Sequence, residues 1–258
     1  MPSRRTGLII LIVAVVLLFS TIAFIPRIPQ PLAYHNFADQ RAWLGIPNFG
    51  NVISNLPFAV FGVMGLAFLL RGNSAGLFKD SRERVPWAFF FLGIFLTAFG
   101  SAYYHWHPDN STLVWDRLPM TIAFTSLIAA LFAERVSLRA GLFVLGPLLI
   151  LGAASVAYWR FTELSGRGDL RFYFAVQASA FLLTLLCFFL FRSPYTRTGD
   201  LGLAAASYFL AVLLEQFDRQ VFALVRAVSG HTLKHIAASL VGYWILRMLR
   251  LRRPVGQH

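Results

Sequence analysis

The chain has 258 residues, of which 57% are hydrophobic and 13% are charged. Because charged residues make up roughly 25% of a typical soluble domain, this composition excludes a disordered chain and argues against a soluble enzyme. The net charge of +12 would suggest a nucleic-acid ligand in a soluble protein. In a chain this apolar it instead suggests basic loops held on one side of a bilayer, so we expect a membrane and no nucleic acid as partner.

Eight apolar runs follow one another along the chain, each close to the roughly 20 residues that a helix needs to cross a bilayer. They lie at residues 7–25, 50–70, 86–105, 118–134, 140–158, 172–191, 201–217 and 231–249. Short connections containing Gly, Pro, Asp and Arg separate them, as turns should. The sequence therefore predicts an all-α polytopic membrane helix bundle with no separate soluble domain.

The first run resembles a signal peptide only in part. Arg4 and Arg5 precede it, but its apolar stretch is longer than the ~7–15 residues of a secretory signal, and no small-residue cleavage site follows Ile25. We therefore expect an uncleaved transmembrane anchor.

Basic residues predict the orientation of the bundle. With the N-terminus inside and the runs alternating, 14 of the 23 basic residues fall in inside segments and 8 in outside segments, and Lys234 lies within the last run. The excess favours both termini inside.

Ionisable residues inside membrane spans are costly and usually functional. His105 ends the third run, Asp116 begins the fourth and His231 begins the eighth, so the alternating arrangement places all three at the outer end. His235 lies one turn after His231 and shares its helix face. Ser101 is likewise one turn before His105.

Three histidines from two helices beside a carboxylate suit a zinc site. Zinc-bound water has a pKa near 7, and a neighbouring carboxylate can move its proton. The simpler interpretation is a hydrogen-bonded or interfacial histidine pair, because H-x-x-x-H alone is a weak motif. The sequence therefore leaves both interpretations open at this point.

The same residues carry a family resemblance. Ser101-Ala-Tyr-Tyr-His105, Asp116-Arg-Leu-Pro-Met120 and His231-Thr-Leu-Lys-His235 occur in this order, preceded by an Asn-rich segment at 48–55. Together they resemble the alkaline ceramidase family, within a superfamily of seven-helix membrane hydrolases that includes the adiponectin receptors. The resemblance covers about residues 48–250, and the compact loops indicate a bacterial member.

The resemblance implies a seven-helix hydrolase core at 48–251. An N-terminal transmembrane anchor and outer loop, 1–47, would precede it as an extra helix, and a cytoplasmic tail, 252–258, would follow. The implied activity is a zinc-dependent intramembrane amide hydrolase that cleaves the N-acyl bond of ceramide-like lipids, giving a sphingoid base and a fatty acid.

The resemblance also assigns roles to residues. It implies that Asp116 is the general base and acid, that Ser101 binds the metal-water or the oxyanion, and that a tyrosine stabilises the oxyanion. Tyr173 is the first choice for that tyrosine and Tyr158 the second. The implied zinc ligands are His105, His231 and His235.

Three features stay open within this interpretation. The 26–48 loop contains Asp39 but no acidic cluster, which makes the calcium site of the eukaryotic family members doubtful. The polar stripe at 48, 51 and 55 favours interhelical hydrogen bonds over ligand binding. Glu215 and Asp218 could support a histidine N–H or instead pair with Arg219 or Lys234.

Other functions fit the same residues. The substrate could be another bacterial N-acyl lipid, the metal site could belong to a non-catalytic receptor-like protein, or the histidines could form a transport path. The clustering of the histidines at one end argues against a transporter. We expect no protein partner, and a bacterial inner-membrane location with both termini cytoplasmic and the zinc site toward the periplasm.

Overall fold

A computed structural model describes residues 2–71 and 76–256. Within these ranges the chain is helical and contains two isolated β-bridges but no strand. Among these described residues, two short 3₁₀ turns and one π-helical turn supplement ten α-helices. These helices are α1 Arg4–Phe24, α2 Phe49–Ile53, α3 Leu56–Leu70, α4 Arg84–Trp106, α5 Leu113–Leu131, α6 Leu138–Leu164, α7 Arg171–Leu190, α8 Gly199–Gln216, α9 Asp218–Val225 and α10 Gly230–Leu251.

Six helical segments are long and apolar enough to cross a membrane, and the chain is therefore an integral multi-pass protein. They confirm the first six predicted runs, with α2 and α3 forming one segment. The seventh predicted run differs, because α8 and α9 together pass the same test but are bent by 80° at their junction. The described residues thus contain six such spans, or seven if the bent pair is one span.

The eighth predicted run forms α10, but α10 is not among the six apolar spans. Its first turns carry histidine and lysine and its last turns carry arginine, which lowers its hydropathy. It has 22 residues, about 33 Å at 1.5 Å per residue, and it packs against α8 and α3. Its polar first-turn side chains, His231, Thr232 and His235, are buried in the protein.

Serine caps fix where several helices begin. The Ser229 hydroxyl accepts a hydrogen bond from the backbone N–H of Thr232 and starts α10 two residues before His231. Ser137 caps α6 and Ser3 caps α1 in the same way. The cap on α10 bears directly on the site because it fixes where the helix that carries two histidines begins.

Glycines let the helices that carry the remaining site residues approach closely. A Cβ on Gly93 of α4 would lie 2.5 Å from the backbone nitrogen of Ala123 on α5, and one on Gly100 would lie 1.9 Å from the carbonyl oxygen of Trp115. The α4 and α5 backbones therefore touch at two places, of which the Gly100–Trp115 contact lies next to His105 and Asp116. This contact brings the end of α4 and the start of α5 together.

The segments outside the spans pack on the bundle. Phe37, in the loop before α2, is buried in a cluster with Tyr104 and Leu113. At the opposite end, Arg252 is 1% exposed and bonds to Glu134 and to the Leu77 carbonyl. The first described residues after 251 therefore rest on the core. The domain boundaries at 47 and 251 stay predictions.

Close packing of α4 on α5 predicts a size limit at Gly93. We expect Gly93→Ala to lower the free energy of unfolding by about 1–3 kcal/mol, because a methyl group would meet backbone rather than a flexible side chain. Gly146→Ala on α6 is the matched control, since nothing lies within 4 Å of its added Cβ. Thermal unfolding in detergent measures both. A Gly93 variant as stable as the Gly146 variant would contradict this packing.

Candidate metal centre

Three histidines meet at the end of the bundle where α4 stops and α10 begins. The Nε2 atom of His105 lies 3.1 Å from Nε2 of His235 and 3.3 Å from Nε2 of His231. One ligand nitrogen from each residue lies within 4.8 Å of the other two, and all three residues are buried. The arrangement confirms that these histidines, predicted to share a depth, share one site that can hold a metal ion.

Hydrogen bonding among the rings does not account for this geometry. A ring nitrogen either carries a proton and donates or carries a lone pair and accepts. Nε2 of His105 can therefore form one linear hydrogen bond, to His235 or to His231, but not one to each. Zinc–nitrogen bonds of ~2.0–2.1 Å in tetrahedral directions place neighbouring ligand nitrogens about 3.3 Å apart. The observed separations therefore fit a shared zinc ion.

Ser54 contacts a ring nitrogen of His235, and the sequence interpretation missed it. The Ser54 hydroxyl donates to the Asn51 carbonyl at 3.2 Å and lies 2.8 Å from Nδ1 of His235. Because Nε2 of His235 faces the other two histidines, a metal-ligating His235 would carry its proton on Nδ1 and donate it to the Ser54 hydroxyl. Its Nε2 then presents a lone pair to the centre. Ser54 lies within the Asn-rich segment at 48–55, which was the only sequence signal for it.

Two residues of the polar stripe, Asn48 and Asn51, make interhelical bonds as predicted, whereas the Asn55 amide donates to the Asn51 carbonyl of its own segment. The Asn48 amide donates to the His105 carbonyl at 2.9 Å, and the Thr232 hydroxyl donates to the Asn51 side-chain oxygen at 2.8 Å. Asn48 has the left-handed conformation, with φ of 47°, which asparagine tolerates better than most residues. The stripe thus ties α2 to both histidine-bearing helices.

The loop before α2 covers the histidines. The ring centre of Phe37 lies 4.7 Å from those of both His105 and His231.

Asp218, at the α8–α9 bend, accepts from the backbone N–H of His231 at 2.7 Å and of Ala38 at 2.9 Å. Asp39 pairs with Arg41, whose hydrogen bonds lower the pKa of that carboxyl group. Phe37 was not foreseen, and Asp218 supports His231 through its backbone N–H rather than through a ring N–H.

Asp116 and Ser101 lie beside the histidine centre. Both line a cavity of about 590 Å³ that His235 also reaches, and the Ser101 hydroxyl hydrogen-bonds to the Asp116 carboxylate. The carboxylate is buried in the bundle. The cavity therefore joins one face of the histidine centre to the residue expected to move protons.

The cavity has a polar end and an apolar body. Glu215 accepts from Lys234 at 2.9 Å and from the Tyr34 hydroxyl at 3.1 Å. Glu215 thus pairs with Lys234, one of the two interpretations left open, and no described histidine N–H donates to it. Away from this end the walls are mainly aromatic and aliphatic, and include Phe90, Ile94, Phe124, Leu127, Phe181 and Leu201.

Arg117 closes the polar end. It donates to the Gln30 side-chain oxygen at 2.5 Å, and its guanidinium lies 4.4 Å and 4.9 Å from the ring centres of Trp159 and Tyr173. No carboxylate in the described ranges forms a salt bridge with it. The sequence interpretation assigned no role to Arg117, although it directly follows Asp116.

The two tyrosines named for the oxyanion lie in different places. Tyr173 is 4% exposed and lines the cavity. Tyr158 is 41% exposed, does not line the cavity, and donates to Asp169 at 3.2 Å. The geometry therefore favours Tyr173 as a residue that can reach a ligand.

No protein-family model matches the chain, and no curated protein matches it. The class of protein is therefore inferred from its own helices and site residues. The chain is a multi-pass helical membrane protein with a buried three-histidine centre that can hold a metal ion, compatible with zinc.

Metal affinity is expected to depend on Ser54. Removing a bond that orients a ligating histidine costs on the order of 10–100-fold in affinity, so Ser54→Ala should weaken zinc binding by that factor in competition with a fluorescent chelator. Ser239→Ala is the matched control, because this buried hydroxyl bonds only to the Ile236 carbonyl of its own helix. Equal affinities of the two variants would show that Ser54 does not orient the ligand.

Proposed function

We propose that the chain is a zinc-dependent intramembrane amide hydrolase of the alkaline ceramidase family, which cleaves the N-acyl bond of ceramide-like lipids. The observation that carries this proposal is the shared cavity, in which His235 of the histidine centre, Asp116 and Ser101 adjoin a long apolar chamber. Zinc, when bound, would supply a water acidic enough to give hydroxide at neutral pH.

The apolar chamber fits a fatty-acyl chain. Its lining runs from Ser101 to Phe90 on α4 and from Tyr173 to Thr184 on α7, each a distance of eleven residues or about 16 Å. That is about half of the ~30 Å hydrocarbon core of a bilayer. An acyl chain lying in the chamber would place its carbonyl end among the polar residues.

Asp116 supplies the proton transfers in this mechanism. Amide hydrolysis moves one proton from the attacking water to the departing amine nitrogen, and a single carboxylate can accept and return it. The Ser101 hydroxyl holds the Asp116 carboxylate in the cavity. The hydroxyl of Tyr173, which lines the same cavity, would donate to the oxyanion that develops on the former carbonyl oxygen.

Arg117 favours a second substrate class, N-acyl lipids with an anionic headgroup. A buried cation is costly unless it is paired. This guanidinium bonds to Gln30 and lies against aromatic rings, while Asp116 and Glu215 attract it without forming a salt bridge. A carboxylate on the lipid headgroup would complete that pairing. The same hydrolase could therefore act on N-acyl amino acids rather than ceramides.

Metal content and hydrolysis together test the proposal. The purified wild type should carry about one zinc per chain and release fatty acid from at least one lipid in a panel of ceramides and N-acyl amino acids. Asp116→Asn should keep the metal and lose at least ~100-fold in turnover. The double variant His231→Ala/His235→Ala should lose both metal and activity.

His107→Ala is the control for these variants. This histidine is exposed at the end of α4, two residues after His105, so its removal should leave zinc and activity unchanged. A wild type that binds no zinc when prepared without chelator would refute the proposal. Zinc binding without hydrolysis of any lipid in the panel would instead favour a receptor-like protein.

Chain-length preference tests the acyl chamber separately. Ala204 on α8 is buried and lines the apolar body, so Ala204→Leu should shift the preferred substrate to shorter acyl chains by filling that space. Ala206→Leu adds the same volume on the exposed face of the helix and should not change the preference. Fatty-acid release from a homologous chain-length series measures the shift, and identical profiles for the two variants would exclude this chamber.

We further propose that both termini are cytoplasmic and that the histidine end faces the periplasm of a bacterial inner membrane. The basic residues of the sequence support this orientation. A C-terminal alkaline phosphatase fusion, active only outside the cytoplasm, should remain inactive while a matching cytoplasmic reporter is active. The reverse pattern would place the site at the inner leaflet.

A further inference from the structure

A second depression lies at the end of the bundle opposite the histidines. The chain enters α3 and α10 near Ser54 and His231 and leaves both at this far end, where the two C-termini border a groove of about 790 Å³. Its lining joins an apolar stretch of α3 to arginines from both helix ends. We call it the arginine groove, lined by Val63, Met64, Phe68, Arg71, Arg250 and Arg253.

The apolar part of the arginine groove faces outward. Val63 is 50% exposed and Met64 is 37% exposed, on a helix whose composition places it in the membrane. Arg250 holds its guanidinium 5.7 Å from the ring centre of Phe68, at the boundary between the apolar and basic parts. A ligand of this groove therefore needs an apolar portion along α3 and a polar portion at the helix ends.

The three arginines of the groove lack a carboxylate partner among the described residues. All three are exposed, and the acidic residues at this end of the bundle are engaged elsewhere. Asp80 pairs with Arg82, Asp200 with Arg197 and Arg247, Glu134 with Arg252, and Glu83 accepts from Tyr195. The three guanidinium groups are therefore available to an anion from outside the chain.

We propose that the arginine groove binds an anionic phospholipid, with its phosphate among Arg71, Arg250 and Arg253 and an acyl chain along Val63 and Met64. Basic pockets between membrane helices hold anionic headgroups by this charge complementarity, and arginine donors match the oxygens of a phosphate. The site is independent of the histidine centre and does not depend on hydrolase activity.

Lipid competition tests the site on the full chain in neutral detergent. Dioleoyl phosphatidylglycerol and dioleoyl phosphatidylcholine are added at equal mole fraction, and retained lipid is counted by native mass spectrometry. We expect a preference for phosphatidylglycerol of roughly 100-fold, from about a fivefold gain per arginine. Arg71→Gln/Arg250→Gln/Arg253→Gln should remove most of it.

The matched control removes the same charge from the same end of the bundle. Arg5, Arg139 and Arg192 are exposed and outside the groove, so Arg5→Gln/Arg139→Gln/Arg192→Gln should keep the preference. If the groove variant proves unstable, Arg71→Gln alone should lower the preference about fivefold. Equal losses in the two triple variants would overturn the site in favour of general surface charge.

Three other results would also overturn the proposal. The first is no preference in the wild type. The second is stabilisation by inorganic phosphate equal to that by phosphatidylglycerol, measured by thermal unfolding, which would assign a free anion. The third is a wild-type dimer that the groove variant converts to monomers, measured by light scattering, which would assign a second copy of the chain to the groove.

Discussion

The burial of three imidazoles against one another is the constraint on which the rest of this structure depends. Polar groups removed from water must find partners, and ring nitrogens about 3 Å apart cannot all pair with each other. Their convergence requires that α4 end and α10 begin at the same depth. Ser229 fixes the start of α10, and the close α4–α5 contact at Gly93 and Gly100 fixes the end of α4.

The surroundings of the histidines follow from the same requirement. Ser54 bonds to Nδ1 of His235, Asn48 bonds to the His105 carbonyl and Asp218 holds the start of α10. The 80° bend between α8 and α9 places Asp218 where it also holds the covering loop through the backbone of Ala38. These supports leave one face of the centre, at His235, open to the cavity.

The two ends of the bundle differ in how far their charged side chains are paired. At the histidine end, Glu215 is matched by Lys234 within the cavity, so local pairing limits the field around the site. At the far end, arginines exceed the acids and the excess lies on the surface. The net charge of +12 thus lies mainly at the end of the bundle opposite the histidines.

Much of this arrangement was predictable from the sequence. Apolar periodicity located the helices, and their alternation placed His105, His231 and His235 at one end because consecutive antiparallel spans reverse direction. Spacing within single helices was equally informative, since residues four apart share a face. The prediction of interhelical bonding for the Asn stripe is confirmed for Asn48 and Asn51 but not for Asn55.

Other features depend on contacts between segments distant in the chain, and no local pattern encodes them. Glu215 pairs with Lys234 nineteen positions later, and Phe37 reaches His105 and His231 from a loop. The seventh run forms α8, but the chain bends by 80° where α8 meets α9, and α10 is too polar to rank with the apolar spans because it carries histidine, lysine and arginine.

The sequence by itself determined that this is a helical membrane protein with a polar, histidine-bearing end, because composition and periodicity act locally along each helix. Only the tertiary structure decided which polar groups meet. Ser54, Arg117 and the acyl-sized cavity take their positions from helix rotation and crossing. Helix rotation and crossing depend on side-chain packing between helices, which a pattern along one helix does not encode.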